Sequence, residues 1–75
     1  MPARLSAIRR ALARLGLGIV IENPSKGSHF RCRRPGYRMY PIPAHNGEQT
    51  EISDVYIRAL CKCLGIVEAE LREHL

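Results

Sequence analysis

Apolar residues near the start of the chain recur at helical spacing. Four of them follow one another at steps of three and four residues: Leu5, Ile8, Leu12 and Leu15. This spacing places them on one side of an amphipathic helix, which we predict over about residues 3–15. Gly16 or Gly18 is suited to end this helix, because glycine adopts the left-handed conformation that is common at helix ends.

A second stripe of apolar residues lies in the last third of the chain: Ile57, Leu60, Cys61 and Leu64. It predicts another amphipathic helix, which Gly65 is suited to end. Ser53 is a suitable N-cap, and Asp54 would interact favourably with the helix dipole. A short third helix can follow, over about residues 67–74.

The segment between the two stripes has the pattern of short strands and turns. Three strands are predicted, at about residues 18–22, 28–34 and 37–42. Pro35 and Gly36 predict a tight turn between the second and the third. Because Pro41 and Pro43 have no amide hydrogen to donate, the third strand should lie at a sheet edge or end early. Residues 44–50 are polar and predict a loop.

This order of elements (α-β-β-β-α) predicts an α+β domain with a three-stranded antiparallel sheet. Each main helix has a single apolar stripe, so both helices should pack on the same face of the sheet. The chain fits one domain, residues 1–75. A chain of this length buries only about 60% of its unfolded surface, and its stability should therefore be modest.

The second predicted strand is the most informative segment for chemistry. Successive strand side chains point to opposite faces, so His29, Arg31 and Arg33 share one face. Phe30 and Cys32 share the other and are suited to the core. An imidazole that titrates near neutral pH, beside two fixed cations, suits acid–base chemistry on a phosphodiester.

Basic residues are concentrated in the first part of the chain. Residues 1–43 carry nine arginine and lysine residues and one glutamate, a net charge of +8, whereas residues 44–75 carry three basic and six acidic residues, a net charge of −3. This asymmetry predicts a polyanion-binding surface; the alternative is an arginine-rich surface that contacts only solvent. The candidate RNA-binding residues are Lys26, Arg31, Arg33 and Arg38.

The reaction that these residue types favour is cleavage of RNA through its own 2′-hydroxyl. A base removes the 2′-proton, the oxygen attacks the adjacent phosphorus, and an acid protonates the 5′-leaving oxygen. His29, the candidate catalytic residue, can serve in either step, and Arg31 or Arg33 would stabilise the charge on the phosphorane. No metal is required. The alternative for His29 is a surface histidine without a role.

Two further residues are candidates for catalysis or substrate contact. His45 follows two prolines that restrain its position, and Ser28 directly precedes His29. The alternative for His45 is a loop histidine that forms hydrogen bonds with nearby backbone.

Other kinds of site are disfavoured. Three cysteines cannot form a closed set of internal disulfides, and we expect reduced thiols. His29 and Cys32 face opposite sides of a strand, so we expect no metal site, and no small-molecule cofactor is indicated.

No apolar run approaches the roughly 20 residues of a membrane span, and the start lacks a signal-peptide core. The expected location is therefore cytoplasmic.

Several of these residues together resemble the HicA toxin family. The shared motifs are Gly27-Ser28-His29, Pro43-x-His45 and Ile57-x-x-Leu60-x-x-x-Leu64-Gly65. The resemblance extends from the first helix to about Ile66. The chain departs from the family pattern at Phe30, in the acidic segment 48–54, and in the additional residues 68–75.

The resemblance implies a fold and a function. HicA-like proteins have a double-stranded-RNA-binding-domain-like fold. They are mRNA interferases, endoribonuclease toxins of type II toxin–antitoxin systems that cleave mRNA and inhibit translation. A HicB antitoxin binds the toxin and blocks its active site. The family's catalytic histidine is the one in the glycine-serine-histidine triplet, here His29, and the expected partners are mRNA and a HicB-like antitoxin.

Two alternatives come from other functional classes. A non-catalytic RNA-binding module of the same topology would recognise RNA by its shape and phosphates, and it would not need His29. A partner-binding protein would instead dock its basic face on an acidic protein surface. Competition by RNA separates this last class from RNA binding.

Overall fold

The computed structural model describes all 75 residues, which form a small α+β domain with a three-stranded antiparallel sheet. The helices are α1 (Leu5–Leu15), α2 (Asp54–Leu64) and α3 (Glu68–Glu73). The strands are β1 (Ala3–Arg4), β2 (Val20–Glu22), β3 (His29–Arg33), β4 (Tyr40–Pro43) and β5 (Glu51–Ile52). A short 3₁₀ turn, Gly47–Gln49, precedes β5. None of the helices has both the length and the apolar character that crossing a bilayer requires.

The core lies between the helices and one face of the sheet. The 16 buried residues are all apolar or cysteine, and they form one cluster. The main helices contribute Leu5, Ile8, Ala11, Leu12, Ile57, Leu60, Cys61 and Leu64, and the sheet contributes Ile21, Phe30, Cys32 and Ile42. Both predicted helical stripes are therefore confirmed as core-facing, and the other face of the sheet is left open.

Strands β2, β3 and β4 follow one another as an antiparallel meander. β4 is an edge strand, as its two prolines predicted. At the other edge, Arg9 of α1 donates a hydrogen bond to the carbonyl of Ile21 in β2 (3.1 Å). Prolines on one edge and a bonded carbonyl on the other limit pairing with a further strand.

The turn between β3 and β4 docks on the end of α2. Arg34 donates to the carbonyls of Leu64 (2.6 Å) and Gly65 (3.2 Å), and its guanidinium lies 4.4 Å from the centroid of the Tyr37 ring. Gly65 ends the helix with φ +65°, and a Cβ there would lie only 2.6 Å from that ring. Because Tyr37 packs here, the third strand begins at Tyr40, later than predicted.

Two further boundaries differ from the sequence-based prediction. α1 begins at Leu5, because Ala3 and Arg4 instead pair with the two residues of β5. The predicted loop 44–50 contains the 3₁₀ turn, and its Ala44 is buried. The Ser53 cap is confirmed, since its side-chain oxygen accepts a hydrogen bond from the third residue of α2.

Candidate active site

His29 begins β3 at one end of the sheet. Its side chain is exposed and the next residue, Phe30, is buried, so the predicted alternation along this strand is confirmed. Gly27, in the turn before it, has φ +75°, a conformation that glycine adopts without strain. The imidazole makes no hydrogen bond within the protein. It is therefore accessible to a ligand on the open face.

Arg31 and Arg33 follow His29 along the open face. Glu22 of β2 is paired with Arg31, and its Oε1 lies 3.4 Å from the Nε of Arg31 and 2.8 Å from the Nε of Arg33. The hydrogen bond from Arg33 and the charges of both arginines hold the pKa of Glu22 below its ordinary value. Because the closest contact to each arginine is through Nε, the terminal nitrogens retain donors for a phosphate.

Sequence reasoning missed the role of Glu22. It is the single acidic residue of residues 1–43, and the alternation along β2 places it on the open face. Which residue it faces depends on the register between β2 and β3. That register is set by the turn and by packing across the sheet, and it is not evident from either strand alone.

The structure brings Ser28 and His45 to the end of the sheet where His29 lies. His29 is paired with Pro43, and one residue further the Ala44 amide donates to the carbonyl of Ser28 (2.7 Å). His45 follows directly and is exposed. Three of the candidate site residues therefore share one end of the sheet.

The predicted RNA-binding residues do not form one cluster. Lys26 is exposed in the turn before β3, at the same end of the sheet as His29. Arg33 and Arg38 lie at the opposite end of β3, which is about 14 Å away for a strand of this length. A ligand that contacts all of these residues must therefore run along the strand, as an extended nucleic acid backbone can.

Part of the basic charge supports the fold and is not part of this site. Arg9 makes two hydrogen bonds to Glu48 (3.1 and 2.7 Å), which raise the pKa of Arg9, and Arg34 caps α2 as described above. Arg10 and Arg14 are exposed on the outer side of α1, away from the open sheet face. The basic residues of the first part of the chain therefore do not form the single surface that their charge predicted. Some make structural contacts, and the others lie on two different sides of the molecule.

The cysteines belong to the core and its margin. Cys32 and Cys61 are buried, Cys63 is partly buried, and all three are free. Burial raises the pKa of Cys32 to about 12 and shifts the pKa of Cys61 upward as well. No group of three histidine, cysteine, aspartate or glutamate side chains is placed to hold a metal ion.

Three concave regions differ in their relation to the candidate residues. A shallow groove of about 280 Å³ lies at the His29 end of the sheet and includes Pro43, His45 and Tyr56. A groove of about 460 Å³ lies beside the turn between β3 and β4 and includes Glu22 and Arg33. The largest cavity, about 610 Å³, lies on the helical side, between α1 and the two ends of the chain, and contains none of the candidate residues. Concave surface therefore adjoins the site at both ends of β3, at His45 on one side and at Arg33 on the other.

Comparison of the chain with protein families, with curated proteins and with solved structures finds no match in any of the three. The function therefore rests on the residues and geometry of this site.

Proposed function

We propose that this protein is a HicA-like toxin of a type II toxin–antitoxin system. In this proposal it is an endoribonuclease that cleaves mRNA and inhibits translation until a HicB-like antitoxin binds it. The observation that carries the proposal is the exposed His29, at the start of a strand whose open face continues with Arg31 and Arg33. The order of the main elements supports a double-stranded-RNA-binding-domain-like fold, to which the β1–β5 pair and α3 are added.

The proposed reaction takes place on the open face of the sheet. Arg31, two residues from His29 on the same face, donates to the non-bridging oxygens of the scissile phosphate and stabilises the charge that grows there. Arg33, at the far end of β3, contacts a phosphate further along the RNA. The 2′-oxygen forms a bond to phosphorus while the bond to the 5′-oxygen breaks, which leaves a 2′,3′-cyclic phosphate and a 5′-hydroxyl. His29 accepts the 2′-proton or donates a proton to the 5′-oxygen. His45 is the candidate for the other proton transfer or for a substrate contact.

Glu22 is a positioning residue in this proposal. Its carboxylate lies between the two arginines and orders their side chains through Nε. A phosphate would then meet guanidinium groups that are already aligned, which lowers the entropy cost of binding.

A non-catalytic RNA-binding module is the second candidate function. One observation favours it: no protein hydrogen bond orients the imidazole of His29, whereas the second ring nitrogen of a catalytic histidine is often held by a partner. In such a module the arginines would contact phosphates, and His29 would be dispensable.

The test compares wild type, His29→Ala and His74→Ala in RNA cleavage and in growth arrest on induced expression. His74 is a matched control, because it is also an exposed histidine but follows α3 in the helical layer. We expect wild type and His74→Ala to cleave RNA and arrest growth, and His29→Ala to lose about 100-fold or more in cleavage rate with an unchanged melting temperature. Equal cleavage by all three would reject a catalytic role for His29. Binding of RNA without cleavage by any of them would favour the binding module.

A further inference from the structure

The groove of about 280 Å³ lies close to His29 because of how β3 and β4 pair. Pro43 lies on one side of the groove and is paired with His29 across β3 and β4. The other side is formed by residues 50–53, which lead into α2, and by Tyr56. Because adjacent strands lie about 5 Å apart, a nucleotide next to a phosphate held at His29 is within reach of the groove.

Three of the polar side chains at the groove are not engaged by the protein. The imidazole of His45, the carboxylate of Glu51 and the hydroxyl of Tyr56 line it without a side-chain hydrogen bond or ion pair. The Ser53 hydroxyl accepts a bond from the Tyr56 amide (3.5 Å) and retains its own hydrogen to donate. The groove thus offers both donors and acceptors, which is what the edge of a nucleobase requires.

Charge distinguishes the groove from the open face of the sheet. None of its seven lining residues is arginine or lysine, and Glu51 is acidic. The groove therefore offers no fixed cationic side chain to a phosphate, whereas Arg31 and Arg33 offer two on the sheet face. This division directs the phosphate to the sheet and an uncharged part of the nucleotide to the groove.

Tyr56 provides an aromatic surface at the groove. It lies in the first turn of α2 and is 42% exposed, while the core side of that helix is formed by the stripe that begins with Ile57. The Tyr56 side chain is therefore not part of the core. Unstacked RNA bases commonly stack on exposed aromatic side chains of this kind.

We propose that this groove binds one unstacked nucleobase of single-stranded RNA. Tyr56 is the stacking residue, and His45 and Glu51 contact the edge of the base. This inference rests on the proposed function, since it takes RNA as the ligand, and it adds a residue that holds the nucleotide beside the cleaved bond.

The test measures binding of two labelled octanucleotides that lack the 2′-hydroxyl and so resist cleavage. Both carry 2′-fluoro sugars; one has two copies of each base, and the other is abasic at every position but has the same phosphates. We expect Tyr56→Ala to weaken binding of the first by about 5- to 150-fold and to leave the second within about twofold of wild type. Tyr56→Phe should retain most of the affinity, because it retains the ring.

Val55→Ala is the matched control, because Val55 is the adjacent residue of α2, is exposed and does not line the groove. It should bind both octanucleotides as wild type does, and the melting temperature of each variant shows that it is folded. An equal loss on both octanucleotides for Tyr56→Ala would overturn the inference, because the contact would then be with the backbone. Unchanged binding by Tyr56→Ala would also overturn it and would leave the groove to another ligand, such as a peptide segment.

RNA cleavage, measured separately, distinguishes failure of this inference from failure of the proposed function. A wild type that cleaves RNA, with binding independent of Tyr56, would overturn the nucleobase site alone. A wild type that shows the expected dependence on Tyr56 but does not cleave would overturn the endoribonuclease alone. A wild type that neither cleaves nor binds either octanucleotide would overturn both.

Discussion

His29 and Arg31 lie two residues apart on the same strand face, yet the protein holds them differently. His29 is exposed and has no partner, whereas Arg31 is partly buried. The Nε of Arg31 is buried without a hydrogen bond, 3.4 Å from Glu22. This contact is an ion pair between partly exposed side chains, which adds little to stability. Arg31 is therefore positioned on the open face without being needed for the fold.

Arg31→Ala should therefore weaken RNA binding while the melting temperature changes little. Loss of one phosphate contact should reduce the salt dependence of binding by about one unit of slope. The measurement is the affinity for a single-stranded RNA at several salt concentrations, with Lys62→Ala, an exposed cation of α2, as the control. A large loss of stability with unaltered affinity would instead assign Arg31 to the fold.

Cys32 predicts a specific dependence of stability on alkaline pH. Burial raises the pKa of its thiol to about 12, so the folded protein keeps a proton that the unfolded chain releases above about pH 9. Stability must then fall as pH rises through this range. Between about pH 8 and pH 10, wild type should lose about 1 kcal/mol more of its free energy of unfolding than Cys32→Ala does. Urea denaturation at both pH values measures this, and equal losses would contradict the burial of the thiol.

At the scale of elements, two helices end in the same way but differ in what surrounds the end. Gly16 after α1 and Gly65 after α2 both have φ +65°. An added Cβ would meet nothing within 4 Å at Gly16, whereas at Gly65 it would meet the ring of Tyr37. The two glycines therefore separate the cost of backbone conformation from the cost of a steric clash.

Gly65→Ala should lower the free energy of unfolding by more than Gly16→Ala does. Gly16→Ala should cost about 1 kcal/mol, because a left-handed conformation is unfavourable for alanine. Gly65→Ala adds displacement of Tyr37, for a total of about 2–4 kcal/mol. Urea denaturation of both variants measures the difference. Equal losses would show that the turn moves away from α2 without cost.

The elements that could be predicted from sequence are those with periodicity or a marked turn. Such a signal is present in the apolar stripes of α1 and α2, in the Ser53 cap and in the alternation of β3. The alternation of β3 also predicted the face of the sheet on which His29 lies. A strand of two residues such as β1 is too short to show a periodic pattern, so the sequence contains no signal for the β1–β5 pair. Glu22 and the groove at Tyr56 depend on which segments meet across the fold, which local pattern does not specify.

At the scale of the whole molecule, the helices cover one face of the sheet and leave the other open. The molecule is 19 Å across its thinnest dimension. A strand of RNA on the open face would contact Arg31 and Arg33 but not Arg10 and Arg14 on the outside of α1. The high positive charge of the first 43 residues therefore overstates the charge that any single ligand meets.

The proposed reaction predicts that chelators leave activity unchanged. Histidine transfers the protons and arginine stabilises the phosphorane, so no step calls for a metal ion. RNA cleavage by wild type should proceed at the same rate with and without EDTA. If EDTA abolished activity and added magnesium restored it, this mechanism would be contradicted.

The β1–β5 pair has a consequence for the order in which the molecule folds and opens. It joins Ala3 to Ile52, about fifty residues apart, whereas the meander joins neighbouring segments. Closing the longer loop costs more chain entropy, and only two residues on each side pair once it has closed. The pair should therefore form late in folding and open first in the native state.

Hydrogen–deuterium exchange should be faster for the Leu5 amide, which bonds to the Thr50 carbonyl, than for amides of β3. The first residues of the chain can then detach while the sheet that holds His29 stays folded.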